Sequence, residues 1–187
     1  MQLIFSFRNV AVGTALVVAG YYAYRGFVAD IETNDVRLLV RAHHEARPAR
    51  RVIIKHRILR VYTGSRDYKA MFRTLDSPSP VSQALAVEVL VARGQQKALP
   101  KLREMLDNPK RDGLVKEALA RAMGTLKVRE AIPRLIELTD AAEPHDARLA
   151  AHGALQSMTD VGAGVKFSEA ARQNWTLWWR DHRNVVQ

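Results

Sequence analysis

The pentapeptide Ala98-Leu99-Pro100-Lys101-Leu102 returns thirty-three residues later as Ala131-Ile132-Pro133-Arg134-Leu135. No other feature of the chain restricts its fold as strongly. Each copy runs into a short apolar stretch ending in Asp107 or Asp140, and the preceding stretches correspond without a gap, Leu85, Ala86, Val89 and Leu90 matching Ala118, Leu119, Ala122 and Met123. A fixed period of this size marks stacked supersecondary units, none of which can bury its apolar stripe alone. Pro100 and Pro133 suit the first turn of a helix, where the missing N–H leaves nothing unsatisfied. Each unit therefore reads as a pair of helices. A weaker earlier copy follows from setting Leu75-Asp76-Ser77-Pro78 against Leu106-Asp107-Asn108-Pro109, which makes residues 49–76 a further pair. A later half-copy starts at Ala147, where Leu149, Ala150, Ala154 and Leu155 repeat the first-helix pattern.

Apolar periodicity and turn residues predict helices over 33–46, 49–62, 66–75, 80–93, 96–107, 113–126, 129–139, 146–158 and 169–183, with no strand. The paired second helices beginning Ala-Leu/Ile-Pro and first helices such as Glu117-Ala118-Leu119-Ala120-Arg121-Ala122-Met123-Gly124 resemble HEAT-like repeats, including those of the phycobilisome-lyase type. The resemblance covers roughly residues 49–183. It implies a short α-solenoid and an interaction protein, and it specifies no activity. The ending resembles the terminal cap of such arrays, although Asp160 follows Thr159 where a Thr-Gly step belongs. Trp175, Trp178 and Trp179 share one helix face, Phe167 precedes them, and Ser168 can serve as N-cap. These rings are expected to close the open end of the solenoid.

From Asn9 to Tyr24 no residue is charged. A helix of that length rises about 24 Å against a hydrocarbon core of about 30 Å, so Arg8 must snorkel for the span to reach across. Phe5 and Phe7 on one side, and Tyr21, Tyr22, Tyr24 and Phe27 on the other, form interfacial belts. Residues 1–28 thus read as a retained single-pass transmembrane anchor, in a bacterial inner membrane, rather than a cleaved signal or a core helix. Ala11, Ala15 and Ala19 at four-residue spacing, with Gly13 and Gly20, would let a partner helix approach closely. The balance of flanking arginines leans the remaining chain toward the cytoplasm.

The net charge of +10 is concentrated: residues 37–73 carry eleven Lys and Arg against Glu45 and Asp67. On a helix Arg47, Arg50 and Arg51 share a face that Arg57 and Arg60 continue. With Arg41 and Lys55 they are expected to form a cationic ridge near the bilayer, drawn to anionic lipid headgroups or an acidic partner. Nucleic acid is the less favoured ligand.

The absence of cysteine excludes disulfides, thiolate metal sites and cysteine nucleophiles. His43, His44, His56, His145, His152 and His182 match no zinc or nucleophile spacing, and Gly162-Ala163-Gly164 lacks the Lys-Ser/Thr of a phosphate loop. No cofactor, metal or catalytic set is expected. The full expectation is an all-α chain in three parts: an anchor over 1–28, a basic juxtamembrane helix and linker over 29–48, and a HEAT-like repeat domain with a Trp-rich cap over 49–187. Its expected role is a non-enzymatic scaffold or accessory subunit, contacting other subunits of a membrane complex; the alternative is binding of anionic lipid or nucleic acid through the Arg-rich segment 37–73.

Overall fold

Side chains that can satisfy the free N–H groups of a first turn set most of the helix starts. The computed structural model describes residues 31–159 and 165–186. Asp35 caps α1 (Val36–Glu45), its carboxylate accepting from the Arg37 N–H at 2.8 Å. Pro48 opens α2 (Pro48–Val61), and Asp67 reaches back to the Thr63 N–H at 2.9 Å ahead of α3 (Ser65–Thr74). Ser79 and Asp112 cap α4 (Pro80–Ala92) and α6 (Gly113–Leu126). Between them lies α5 (Leu99–Asp107), and after them α7 (Ile132–Glu137), α8 (His145–Thr159) and α9 (Ala171–Val186). Among the described residues these nine helices fall within three residues of their predicted ends, and no strand occurs.

The described residues divide into two compact units, one ending at Val61 and the other beginning at Tyr62. In the first, α1 packs on α2, burying Val36, Leu39 and His43 from one helix and Ile54 and Ile58 from the other. Within this unit α1 is therefore a packed helix, the partner of α2. The apolar stripe of α2 has its partner in the helix before it, reached through the short Ala46-Arg47 connection.

The second unit is a two-layer solenoid. α4, α6 and α8 stack in a row, while α5 lies against α6, α7 against α8 and α9 against α7; α3 packs on α4. α4 buries residues around most of its circumference, from Ser82 through Leu90, as a helix covered on several sides must. Leu85, Leu90, Leu102, Met105, Leu119 and Met123 are among the fully buried side chains, each contributing about 1.5–3 kcal/mol. Leu149, expected in the apolar pattern, is 48% exposed, whereas Ala150, Ala151, Ala154 and Leu155 are among the buried residues of α8.

The thirty-three-residue period holds down to single hydrogen bonds. At the end of α4, Gln95 N–H donates to the Leu90 carbonyl and Gly94 N–H to Val91; at the end of α6, Val128 N–H donates to Met123 and Lys127 N–H to Gly124. This is the Schellman closure, which requires a left-handed residue at its turn. Gly94 supplies it at φ 63°, and Lys127 takes the same conformation at φ 54°. A side chain there costs about 1–2 kcal/mol. Lys127→Gly is expected to stabilise the protein by about 1 kcal/mol, despite losing the exposed bond from Lys127 Nζ to the Ser157 carbonyl. An unchanged or lowered urea midpoint would contradict it.

A second periodic feature joins the outer layer. Lys101 of α5 meets Asp76 just past α3 at 3.4 Å. Arg134 of α7 donates to the Leu106 carbonyl at the end of α5 at 3.0 Å. Arg172 of α9 meets Asp140 just past α7 at 2.5 Å. In each case a cation from the next outer helix settles on the negative end of the one before it.

Candidate interaction surfaces

The predicted cationic residues do not form one exposed ridge. With about 100° between successive residues, the buried Ile54 and Ile58 define the inner side of α2, and Arg50 and Arg57 lie along one edge of that stripe. Arg51 and Lys55 lie along the other; all four are only half exposed. Arg57 turns inward, its Nη2 donating to the Glu32 carbonyl at 3.1 Å and to Asn34 Oδ1 at 2.8 Å. Arg41, on α1, pairs with Glu45 at 3.2 Å, and Arg47 sits exposed in the connection before α2. Only Arg60 of the α2 set faces fully outward. Its neighbours there are apolar: Val52 and Ile53 are 52% and 50% exposed. Ile53, His56, Arg57 and Arg60 border a small cavity of about 270 Å³.

The arginines act instead on His43. This ring is buried on α1, its Nδ1 without a hydrogen-bond partner among the described residues. Burial first, then the charges of Arg51, Lys55 and His44, lower its pKa to about 4. The folded chain keeps His43 neutral while the unfolded chain protonates it near pH 6.5, so between those values the unfolded state binds the extra proton. Stability is thus complete above about pH 6.5 and falls toward pH 4, by up to about 1.4 kcal/mol per pH unit. Urea titrations across that window are expected to show this slope in the native chain and a shallower one in His43→Gln. Equal slopes would refute the assignment.

At the other end of the chain, Trp175 is the largest fully buried side chain. Its Nε1–H donates to His152 Nδ1 at 2.9 Å, which places the remaining imidazole proton on Nε2. Burial lowers the His152 pKa, partly offset by a hydrogen bond with the Val165 backbone. Rings follow one another in edge contact from His145 to Phe167, His152, Trp175 and Trp178, with successive centroids 5.6 Å apart. Trp178 then stacks on His182 at 4.9 Å. Arg148 lies 5.4 Å above the Phe167 ring and pairs with Glu169 at 3.1 Å.

Of the predicted cap residues, Trp175 alone is sealed; Phe167, Trp178 and Trp179 are half-buried. Ser168 does not cap by its side chain: α9 begins at Ala171, whose N–H goes to the Ser168 carbonyl. Three of the six histidines belong to this aromatic chain. The seven-residue spacing of His145 and His152, two turns along one helix, was the available signal.

The proposed packing residues Ala11, Gly13, Ala15, Ala19 and Gly20 lie outside the described residues, as does the whole predicted span. Among the described residues no helix is long and apolar enough to cross a membrane, and no group of three or more His, Asp or Glu is placed to hold a metal ion.

A family model described as HEAT repeats matches residues 68–161, just over half of the chain. Comparison with curated proteins and with solved structures finds no match.

Proposed function

This chain belongs to the HEAT-repeat family, and we propose that it serves as a membrane-tethered, non-catalytic scaffold, an accessory subunit that presents helical faces to other proteins of a membrane complex. HEAT repeats in general mediate protein–protein interaction. The observation that carries the reading is the recurrence of the same helix pair, down to its closing hydrogen bonds, across residues 80–137. Such stacking leaves the outer sides of α3, α5 and α7 as a continuous surface held by a common core. The uncharged run from Asn9 to Tyr24 supports the tether.

Crosslinking mass spectrometry on native membranes tests both parts. Crosslinks from residues 62–187 to one recurrent membrane protein, in a fraction that resists alkaline carbonate washing, are the expected result. A carbonate-released monomer without a stoichiometric partner would sink the proposal.

One observation favours a second reading, contact with anionic lipid. Val52 and Ile53 stand exposed on α2 beside Arg60, with half-exposed arginines along its edges, a distribution suited to a helix lying in a headgroup layer. Binding of the full chain to phosphatidylserine vesicles, lost in Val52→Asp/Ile53→Asp, is expected on this reading. Binding unaffected by those changes would exclude it.

A further inference from the structure

We infer that the groove between the start of α3 and the loop 93–97 is the docking site for an acidic segment of a partner protein. The inference rests on the scaffold reading and adds a place and a partner chemistry to it. The groove has a volume of about 740 Å³ and lies wholly within the second unit. Its walls carry polar side chains: Ser65, Tyr68 and Lys69 on one side, Gln95, Gln96 and Lys97 on the other.

Its charge is unbalanced. Lys69 and Lys97 are exposed, and neither side chain makes an ion pair or hydrogen bond among the described residues. Arg66 and Arg73 extend the same face of α3, at three and four residues on either side of Lys69, and are likewise exposed. No acid among the described residues lines the groove, and Asp67, beside it in sequence, accepts from the Thr63 N–H.

The groove itself offers lysines and backbone-type partners rather than a free arginine fork. Planar, bidentate recognition of phosphate is the strength of arginine, and the one arginine lining the groove is already used. Arg93 donates to the Tyr62 carbonyl and lies 5.3 Å from the centre of the Tyr62 ring. The lysines are mobile point charges that suit single carboxylates. Gln95, Gln96, Ser65 and Thr63 offer donors and acceptors for a peptide backbone between those charges.

The test uses the full chain and a fluorescein-labelled glutamate-rich peptide, followed by anisotropy and by carbodiimide coupling, which joins a peptide carboxylate to the lysine amine it touches. Coupling concentrated at Lys69 and Lys97 is the expected result, with binding weakened at least about tenfold in Lys69→Glu/Lys97→Glu and unaltered in Arg129→Glu. Circular dichroism establishes that each variant folds. Coupling concentrated at Lys55, Lys110 or Lys127 overturns the inference, as does tighter binding of a single-stranded oligonucleotide to the same groove. Should the peptide miss the groove while native membranes still yield a stoichiometric protein partner, only the docking site falls; loss of that partner is what removes the scaffold itself.

Discussion

Trp175→Ala is expected to lower the stability of the protein by about 3–5 kcal/mol, the usual cost of emptying a buried tryptophan site. Trp175 is fully buried on the inner side of the last helix, and its indole N–H is the donor to His152 Nδ1. Alanine removes both, leaving a cavity and an imidazole nitrogen with no donor in a buried setting. Trp175→Phe separates the two effects, because it keeps most of the apolar volume and loses only the N–H; a cost of about 1–2 kcal/mol is expected. Trp178→Ala, at a half-exposed position, should cost less than Trp175→Ala. Urea denaturation followed by circular dichroism reads all three. If Trp175→Ala and Trp178→Ala were equally damaging, the cap would not depend on the buried ring.

Gly124→Val is the second large effect, and its cause is contact rather than cavity. A Cβ at Gly124 would stand 2.8 Å from Ala154 Cα, 2.9 Å from Ala154 Cβ and 3.3 Å from Ser157 Oγ. The first of these belongs to backbone and cannot rotate aside, so α6 and α8 must move apart at the most extensively packed helix pair of the unit. About 3 kcal/mol is expected for valine, and less for alanine. Ala154→Gly removes one of the two close atoms and should recover part of the Gly124→Ala loss, a coupling visible in a double-mutant cycle. Gly153 supplies the contrast: nothing lies within 4 Å of the place a Cβ would take there. Gly153→Ala should therefore stabilise by about 1 kcal/mol through helix propensity alone. Equal losses at Gly124 and Gly153 would show that the close approach plays no part.

The repeat was legible because its signals are local and chemically costly to forge. Within a helix Pro100 and Pro133 fit only the first turn, and apolar positions recurring at helical spacing have to face a core. Lys127 was not legible, since nothing about lysine announces a left-handed backbone; only its place thirty-three residues after Gly94 points to it. The cationic ridge failed for a different reason. With so many arginines on α2, almost any helical face can be drawn as basic, and the burial of Ile54 and Ile58 decides which face exists. The ring sequence from His145 to His182 joins residues from two helices and the segment between them, so no linear spacing contains it. The docking groove draws on the start of α3 and the loop that follows α4, and its lysines stand too far apart in sequence to read as a set.

The cation contacts that join successive outer helices give the solenoid mechanical joints of unequal kind. The first and last, Lys101 with Asp76 and Arg172 with Asp140, are ion pairs open to solvent. Dissolved salt weakens such pairs. The middle one, Arg134 on the Leu106 carbonyl, pairs a charge with a neutral oxygen and is partly shielded. Rising ionic strength should therefore loosen the two ends of the array while its centre keeps its stiffness, so that the solenoid bends first at its terminal joints.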